Sequence, residues 1–338
     1  MKSLVLGGSV FVGKRMVKAL VEAGHEVSVL NRGKTPVQLP EGVELIVADR
    51  TDKESMHAAL ANSSWDAVFD VSGFVMVAGG ADARSLIELL DGQVGDYVYT
   101  SSILAYEQGR GVFPWREDDP ASMDGPQTYG GFKATMENEL LSQYRKTDFP
   151  VSIVRPAAIY GPNNNIFDME TPMFLRLEQG RPILIPHEGL VTCSYGHVDD
   201  LCVAMLACAG NEKARGEIFN ITAEGVTVNE YVKVLAEIVG VTPNIVNVPE
   251  SVIPTLAQPA YGHLFGTAHH AVLSIGKAER LLGAKPSYDF RSGHEHTYAW
   301  YREQGWTGRA EPLVDPMWMS SFNFDYESEV ADRIRAES

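Results

Sequence analysis

A glycine-rich turn near the start of the chain is the feature that most constrains its fold. The turn follows a short apolar run over residues 3–6, which predicts a buried strand, and precedes a periodic segment over residues 14–24, which predicts a helix. Unpaired N–H groups at a helix start attract anions, because the helix dipole points the same way. The turn therefore predicts a seat for a dinucleotide pyrophosphate, with a plain tight turn as the alternative. Its residues are Gly7, Gly8, Ser9, Val10, Phe11, Val12 and Gly13.

Predicted strands and helices alternate over the first 155 residues. The strands fall at residues 26–30, 43–48, 65–71, 96–100 and 151–155, and the helices at residues 52–61, 82–91 and 129–144. This alternation predicts an α/β fold with a doubly wound parallel (Rossmann) sheet. Because the rhythm changes after Pro156, we expect residues 1–160 to form the nucleotide-binding domain, with a returning segment near 197–222. We expect residues 161–338 to form mostly a smaller interleaved α/β substrate-binding lobe and a C-terminal tail.

Composition narrows the class of partner. The formal net charge of -16 argues against nucleic acid as a partner, because nucleic acids bind to positively charged protein surfaces. No apolar run approaches the roughly 18 residues of a membrane span, and the first strand leaves no room for a secretory signal. The three cysteines form no Cys-x-x-Cys pair, which is typical of reduced thiols. We therefore expect a cytoplasmic protein that acts on a small molecule and has no metal site.

The residues after the second predicted strand indicate which dinucleotide is bound. An NAD site usually has Asp or Glu there, to bind the ribose 2′-hydroxyl. Here the position holds neutral Asn31, with the cations Arg32 and Lys34 close by. A cation suits a 2′-phosphate, so we expect NADP in preference to NAD. The alternative is that Arg32 stacks on the adenine or faces solvent.

Two further strand ends are candidates for cofactor contacts. Asp49 and Arg50 follow the third predicted strand, where they could reach the adenine edge. Val71, Ser72 and Gly73 follow the fourth, where they could line the ribose of the nicotinamide half. Carboxyl ends of parallel strands are where such crevices form.

A tyrosine and a lysine predict the reacting centre. Tyr129 and Lys133 are four residues apart and share a face of one predicted helix. A nearby cation stabilises phenolate, so we expect the tyrosine pKa to fall from about 10 towards working pH. The phenol can then exchange the proton of a substrate hydroxyl while a nicotinamide exchanges the hydride. Ser102 is expected to hold the same substrate oxygen; the alternative is a pair on a helix surface.

Other polar residues are weaker candidates. Thr100 and Ser101, which precede Ser102 at the end of the fifth predicted strand, are candidate cofactor contacts. Asn163 lies just after the sixth strand, where a substrate could meet the second lobe. His197 is a candidate substrate contact, with the end of a strand before a capped helix as its plainer interpretation.

These motifs resemble an extended, atypical short-chain dehydrogenase/reductase of the NAD-dependent epimerase/dehydratase family, in the branch that includes chloroplast stem-loop-binding proteins. The segments that carry the resemblance are residues 7–13, 31–33, 49–52, 101–102, 129–133, 155–162, 180–183, 196–201, 218–221 and 277–286. The resemblance implies that Ser102, Tyr129 and Lys133 form a catalytic triad. It also implies cofactor contacts at Pro156 and Ala158, and a homodimer formed through the helices at residues 82–91 and 129–144.

The sequence departs from this family at three places. Val10 replaces the middle glycine of the turn, which predicts a less close approach of the backbone to the pyrophosphate. Ile103 and Leu104 stand where 4,6-dehydratases carry an Asp-Glu pair, so we do not expect 4,6-dehydration. Residues 192–196 lack the arginine that sugar-nucleotide epimerases often use for a phosphate, which leaves a smaller polyol or carbonyl compound open as the substrate.

The sequence thus predicts an NAD(P)-dependent oxidoreductase or epimerase. It would act by hydride transfer on a hydroxyl or carbonyl of a sugar-like or other small polar substrate, with Tyr129 as the acid/base. The alternatives on the same fold are an RNA-binding protein and a non-catalytic NADP-binding regulator.

Overall fold

The computed structural model describes residues 1–34, 37–72, 80–164, 169–257, 265, 267–307 and 323–337, and divides the chain into two compact units. Unit one comprises Met1–Ala157, Val198–Thr222 and Leu273–Ser287. Unit two comprises Ala158–His197, Ala223–Val272 and Tyr288–Ser338. The sequence predicted one returning segment, near 197–222, and the structure adds the second one at Leu273–Ser287.

The described ranges contain strands, helices and single turns of 3-10 helix. The strands are β1 (Lys2–Leu6), β2 (Glu26–Asn31), β3 (Glu44–Val47), β4 (Trp65–Asp70), β5 (Val94–Thr100), β6 (Val151–Pro156), β7 (Ala158–Tyr160), β8 (Pro182–Ile185), β9 (Thr192–His197), β10 (Ile218–Ile221), β11 (Glu224–Thr227) and β12 (Asn244–Asn247). The helices are α1 (Phe11–Glu22), α2 (Lys53–Leu60), α3 (Gly80–Leu90), α4 (Tyr129–Thr147), α5 (Glu170–Glu178), α6 (Val198–Cys208), α7 (Val228–Val239), α8 (Gly276–Leu282), α9 (Phe290–Glu303) and α10 (Phe324–Glu337). No helix in these ranges is long and apolar enough to cross a membrane.

A parallel sheet of seven strands forms the centre of unit one, in the order β10-β6-β5-β4-β1-β2-β3. The chain leaves β1 towards β2 and β3, then returns to the other side of β1 for β4, β5 and β6. The predicted doubly wound parallel fold is therefore confirmed. Connections diverge in opposite directions after β1 and β4, and a crevice forms at the carboxyl ends of strands at such a switch point.

Alternation along each strand gives the sheet two apolar faces. Leu4 and Leu6 belong to a buried cluster that includes Met56 of α2, Ile87 of α3 and Phe132 of α4. Because these three helices share one cluster with alternate residues of β1, they cover the same face. Helices α1 and α6 pack against each other elsewhere in this unit.

The first helix begins earlier than the sequence predicted. It starts at Phe11, whereas the periodicity placed its first residue at Lys14. The turn after β1 is therefore shorter than expected and covers residues 7–10. The last residues of the glycine-rich segment are therefore the first turn of α1, so their N–H groups lie at the positive end of the helix dipole.

Unit two is a smaller α/β unit with an aromatic core. It contains a three-stranded sheet, β11-β9-β7, and a two-stranded sheet, β12-β8. Its core includes Tyr160, Phe174, Tyr231 and Phe290, which lie on β7, α5, α7 and α9. The C-terminal helix α10 is joined to α5 by a buried ion pair between Arg176 and Glu327, with 2.6 Å between Nη2 and Oε1.

Candidate coenzyme and catalytic site

The glycine turn after β1 is too tight for side chains at its outer glycines. A Cβ on Gly13 would lie 2.0 Å from the Gly7 carbonyl oxygen, and a Cβ on Gly7 would lie 2.8 Å from the Ser72 Cβ. Gly7 also has φ +95°, a conformation that favours glycine. The turn therefore brings the start of α1 against the ends of β1 and β4.

The start of α1 has donors for an anion. Its N-cap residue, Val10, makes no side-chain capping bond, and the first turn holds no acidic residue. The N–H groups of a first helical turn have no intrahelical acceptor, so they suit a pyrophosphate. Val10 itself has φ -137°, an extended conformation that any residue adopts, so the backbone of the turn does not require glycine at this position. The residues of this turn fit a dinucleotide.

The end of β2 is held to the glycine turn by Asn31. Its Nδ2 donates to the Ser9 hydroxyl over 2.9 Å, and its Oδ1 accepts from the Gly33 N–H over 2.9 Å. The side chain of Asn31 therefore shapes the loop that follows β2, and it leaves the neighbouring cations to face outward. Arg32 and Lys34 are both exposed.

Asp49 lies near these two cations. The N–H and hydroxyl groups of Thr51 donate to its carboxylate and hold the pKa of Asp49 below its ordinary value, and the charges of Lys34 and Arg32 add to that effect. Asp49, Arg32 and Lys34 thus share one electrostatic environment after the ends of β2 and β3, and their contacts with the adenosine part of a coenzyme stay predictions.

Arg50 lies against the end of β4. Its guanidinium donates two hydrogen bonds to the carboxylate of Asp70, of 2.6 Å and 2.7 Å, and another to the Ser72 hydroxyl. Its contact with an adenine edge stays a prediction, and the structure adds that a buried carboxylate binds the charge of Arg50. Val71 directly follows β4, and its N–H donates a hydrogen bond to the carbonyl of Leu6 on β1. Gly73 lies outside the described residues.

Glycines also position the phenol of Tyr129. A Cβ on Gly130 would lie 2.2 Å from the carbonyl oxygen of Leu104, so the start of α4 approaches the short 3-10 helix at Ile103–Ala105 closely. That 3-10 helix begins after Ser102, whose hydroxyl accepts from the Leu104 N–H over 3.1 Å. A hydrogen bond joins the Ser102 hydroxyl to the Tyr129 phenol.

The predicted acidification of Tyr129 is wrong for the protein without a ligand. Burial raises the pKa of Tyr129 to about 12, and the hydrogen bond from Ser102 only partly offsets that rise. Burial likewise lowers the pKa of Lys133 to about 7. The spacing of four residues correctly indicated a shared helix, but it carried no information on the burial of either group.

The Lys133 side chain is buried against the end of β5 and is not exposed to solvent. Its side chain is 1% exposed, and its Nζ donates to the Thr100 carbonyl over 2.6 Å. Ser101 points elsewhere, with its hydroxyl donating to the buried carboxylate of Glu137. That carboxylate also accepts two hydrogen bonds, of 2.8 Å and 2.6 Å, from Arg155 of β6.

The remaining predicted residues lie at several places. Pro156 ends β6 as a buried partner of Ile221 in unit one. In unit two, Ala158 begins β7, and Asn163 is half-buried with φ +68° in the following turn. His197 ends β9.

The side chain of His197 has no exposed surface. Within unit two its ring lies 4.0 Å from that of Tyr288 and 5.6 Å from that of Tyr160, measured between ring centres. Its Nε2 lies 3.2 Å from the Nδ1 of His296. In this unit His197 therefore packs among aromatic rings, and its contact with a substrate stays a prediction.

Sequence reasoning missed four buried charged or hydroxyl groups near the reacting centre. The sequence did indicate that two of them, Asp70 and Arg155, have buried partners. Each lies at or near the end of an apolar strand, and an unpaired charge in a core is costly. Their partners lie on other strands or helices, so spacing along the chain could not identify them. The four are Asp70, Tyr97, Glu137 and Arg155.

Comparisons with known proteins agree with this architecture. The sequence model of the NAD dependent epimerase/dehydratase family matches residues 3–222. The chain is similar to the chloroplast stem-loop binding protein of 41 kDa b from Arabidopsis thaliana, with 31% identity over 312 residues, which cover 88% of this chain and 78% of that relative. It is also similar to a UDP-N-acetyl-alpha-D-glucosaminuronate decarboxylase from Bacillus cytotoxicus, with 26% identity over 89% of this chain and 98% of the relative.

A solved structure extends the likeness to the fold. An epimerase from Methanothermobacter thermautotrophicus matches with a TM-score of 0.76 and 21% identity, over 93% of this chain and 94% of that one. At that identity the match concerns the fold alone.

Proposed function

The chain belongs to the NAD dependent epimerase/dehydratase family, and from that premise we propose that it transfers a hydride between a nicotinamide dinucleotide and a hydroxyl or carbonyl group of a sugar-like or other small polar substrate. One observation carries the proposal: a buried lysine and a half-buried tyrosine share one helix, and the Tyr129 phenol is hydrogen-bonded to Ser102 at the end of the neighbouring strand. This is the constellation that a proton transfer coupled to hydride transfer needs.

Different segments of unit one would bind different parts of such a coenzyme. The uncapped first turn of α1 would hold the pyrophosphate, and the loop after β2 would hold the adenosine ribose. The coenzyme supplies the hydride acceptor or donor when it is bound. Lys133, held by Thr100, lies beside the phenol.

Tyr129 is proposed as the proton donor and acceptor at the substrate oxygen. Because burial raises its pKa to about 12, the phenol is protonated at neutral pH and is ready to donate to a carbonyl oxygen. In the reverse direction the phenol must first lose its proton, and a charged Lys133 would favour that loss. The hydroxyl of Ser102 would hold the same oxygen through a hydrogen bond.

We propose NADP as the preferred coenzyme. The support is local: the residue at the end of β2 is a neutral asparagine that is engaged by Ser9 and Gly33, and Arg32 and Lys34 beside it are exposed cations. Cations of this kind suit a 2′-phosphate, which carries charge that the ribose hydroxyl lacks. The family description names NAD, so the two coenzymes must be compared directly.

The substrate class is tested by a turnover panel. Purified protein is incubated with each reduced and oxidised coenzyme and with UDP- and dTDP-sugars, free ketoses and polyols, and nicotinamide absorbance and product are followed. Net consumption of NADPH indicates a reductase, and an isomerised sugar without net consumption indicates an epimerase. No binding of either coenzyme would refute the proposal.

RNA binding is a second candidate because of one relative. The Arabidopsis protein is described as a stem-loop binding protein. The net charge of -16 opposes this function, since phosphate contacts need a basic surface. A salt-dependent shift of a stem-loop RNA at physiological ionic strength, competed by tRNA but not by NADPH, would favour it over the enzymatic proposal.

Two other expectations stay predictions. The first is a homodimer formed through α3 and α4, which sedimentation would test. The second is a cytoplasmic location, which fractionation of cells would test.

A further inference from the structure

A buried ion pair lies close to the candidate site. Asp70, the last residue of β4, is fully buried, and both of its carboxylate oxygens accept hydrogen bonds from Arg50. The Tyr97 hydroxyl donates a further bond, 2.6 Å long, to Oδ2. Burial alone would raise the pKa of Asp70, but the charge of Arg50 and these hydrogen bonds outweigh it and hold the pKa below its usual value. The pair is therefore ionic at neutral pH.

Tyr99 connects this ion pair with Lys133. Asp70 and Tyr99 are aligned partners on β4 and β5, and the Nζ of Lys133 lies 4.9 Å from the centre of the Tyr99 ring. Charges in a buried region of low dielectric act on one another more strongly than charges in water. The Arg50–Asp70 pair and Lys133 therefore share one electrostatic environment.

Charges of both signs surround Lys133. Burial opposes its ammonium form most, Asp70 and Glu137 favour that form, and Arg50 opposes it. Glu137 is neutralised in turn by Arg155, through the two hydrogen bonds described above. Burial raises the pKa of the neighbouring phenols, so these stay neutral: Tyr97, Tyr99 and Tyr129.

We propose that Asp70 and Arg50 are positioning residues that set the charge of Lys133, and through it the proton transfer by Tyr129. The inference rests on the proposed function, since it concerns the lysine beside the acid/base. Its physical basis is that the two charges act on the ammonium form in opposite directions, since Asp70 favours it and Arg50 opposes it. Removal of either one leaves the other unbalanced next to a buried amine, with opposite consequences for the two removals.

A purely structural role predicts something different. If the pair only joined the ends of β3 and β4, loss of either residue would loosen the same contact, and both losses would disturb Lys133 in the same sense. The electrostatic role requires opposite signs. Asp70→Asn leaves the positive charge of Arg50, which disfavours the ammonium form. Arg50→Met leaves Asp70, whose carboxylate form the Ser72 and Tyr97 hydroxyls still stabilise by hydrogen bonds and whose negative charge favours the ammonium form.

The test is a titration of Lys133 in the full chain. The protein is labelled with 13C at lysine Cε, the Lys133 resonance is identified by its loss in Lys133→Met, and its shift is followed between about pH 5.5 and about pH 10. We expect the midpoint to fall by about 1 pH unit in Asp70→Asn and to rise by a similar amount in Arg50→Met. The double variant should return to the wild-type midpoint, because both charges are then absent.

The pH profile of kcat/KM on the substrate identified above gives the second readout. The limb that reports Lys133 should move in the same directions as the NMR midpoints. Midpoints that move in the same sense in both single variants, or opposite midpoints with unchanged kinetic limbs, would overturn the inference. If Asp70→Asn does not fold, Arg50→Met alone decides: a midpoint that rises by about 1 pH unit upholds the electrostatic role, and a midpoint that falls or stays within about 0.3 units overturns it.

The two readouts separate this inference from the proposed function. The NMR titration needs neither coenzyme nor substrate, so it reports on the Arg50–Asp70 pair even when no turnover is found. Failure of the wild-type protein to bind any coenzyme would instead refute the proposed function.

Discussion

The Nζ of Lys133 lies 5.6 Å from the centre of the Tyr129 ring, over its face, and its hydrogen bond goes to the Thr100 carbonyl. The amine and the phenol ring are thus neighbours. Burial moves their pKa values in the directions that favour the neutral form of each, to about 12 for the tyrosine and about 7 for the lysine. At neutral pH the phenol is therefore neutral and the amine is divided between its charged and neutral forms, so a bound charge can shift the protonation of both groups.

Removal of the phenol oxygen tests the role of Tyr129. We expect Tyr129→Phe to lower turnover by about 10²-fold or more and to change the coenzyme dissociation constant by less than about twofold, since a lost general acid affects the chemical step. Tyr144→Phe on the same helix is the matched control and should retain full turnover. Steady-state kinetics measure turnover, and fluorescence titration with NADPH measures the dissociation constant. An unchanged turnover rate in Tyr129→Phe would refute the role of Tyr129 as the acid/base.

Neutralisation of the exposed cations tests the NADP preference. Arg32→Ala and Lys34→Ala should each weaken NADP binding by about tenfold, because each loses a charge-assisted contact to the 2′-phosphate. NAD binding should change by less than about twofold. Lys146→Ala, an exposed cation at the end of α4, is the control. Equal losses for NAD and NADP would contradict the preference and indicate a contact with a part that both coenzymes share.

A methyl group in the glycine turn tests the coenzyme seat. In Gly13→Ala the new Cβ would meet the Gly7 carbonyl oxygen at 2.0 Å, so the turn must open and the start of α1 must move. We expect the coenzyme dissociation constant to rise by at least about tenfold, as the first-turn N–H groups lose their alignment. Gly111→Ala is the control: its new methyl group has open space around it, so this variant should bind the coenzyme as tightly as the wild type does. Calorimetric titration measures both, and thermal melts check that each variant is folded.

Much of the fold could be predicted from the sequence. Strands of a parallel sheet are buried on both faces, so β1, β4 and β6 appear as short apolar runs between periodic segments. The alternation with helices then predicts a doubly wound parallel sheet, whereas the order of its strands comes from the structure. The start of α1 could not be predicted to the residue, because Phe11 takes φ +36° at the turn and no periodicity indicates such a conformation.

The site was predictable only where its partners lie close in sequence. Tyr129 and Lys133 share a helix, so their spacing was sufficient to pair them. Asp70 and Arg50 are twenty residues apart and meet only through the register of β3, β2, β1 and β4 in the sheet. The pKa of each group depends on its burial, which the sequence does not give. The predicted direction for Tyr129 was wrong for that reason.

A buried carboxyl group in unit two makes stability depend on pH. Glu170 is fully buried at the start of α5, and its oxygens accept hydrogen bonds of 3.0 Å from the Gly161 N–H and from the Asn164 Nδ2. Burial raises its pKa to about 7 from an ordinary value of 4.5. Between these values the folded chain keeps a proton that the unfolded chain releases, so the free energy of unfolding falls as pH rises through that window.

Glu170→Gln keeps the shape of the side chain and removes the titration. Relative to the wild type, its free energy of unfolding should be similar near pH 4.5 and should become higher, by on the order of 2 kcal/mol, near pH 8, where the wild type holds a buried anion. Urea unfolding at several pH values measures the difference, with Glu329→Gln on the exposed side of α10 as the control. A difference that stays constant from about pH 4.5 to about pH 8 would mean that Glu170 does not take up its proton in this window, and that its hydrogen bonds to Gly161 and Asn164 outweigh the cost of burying the anion.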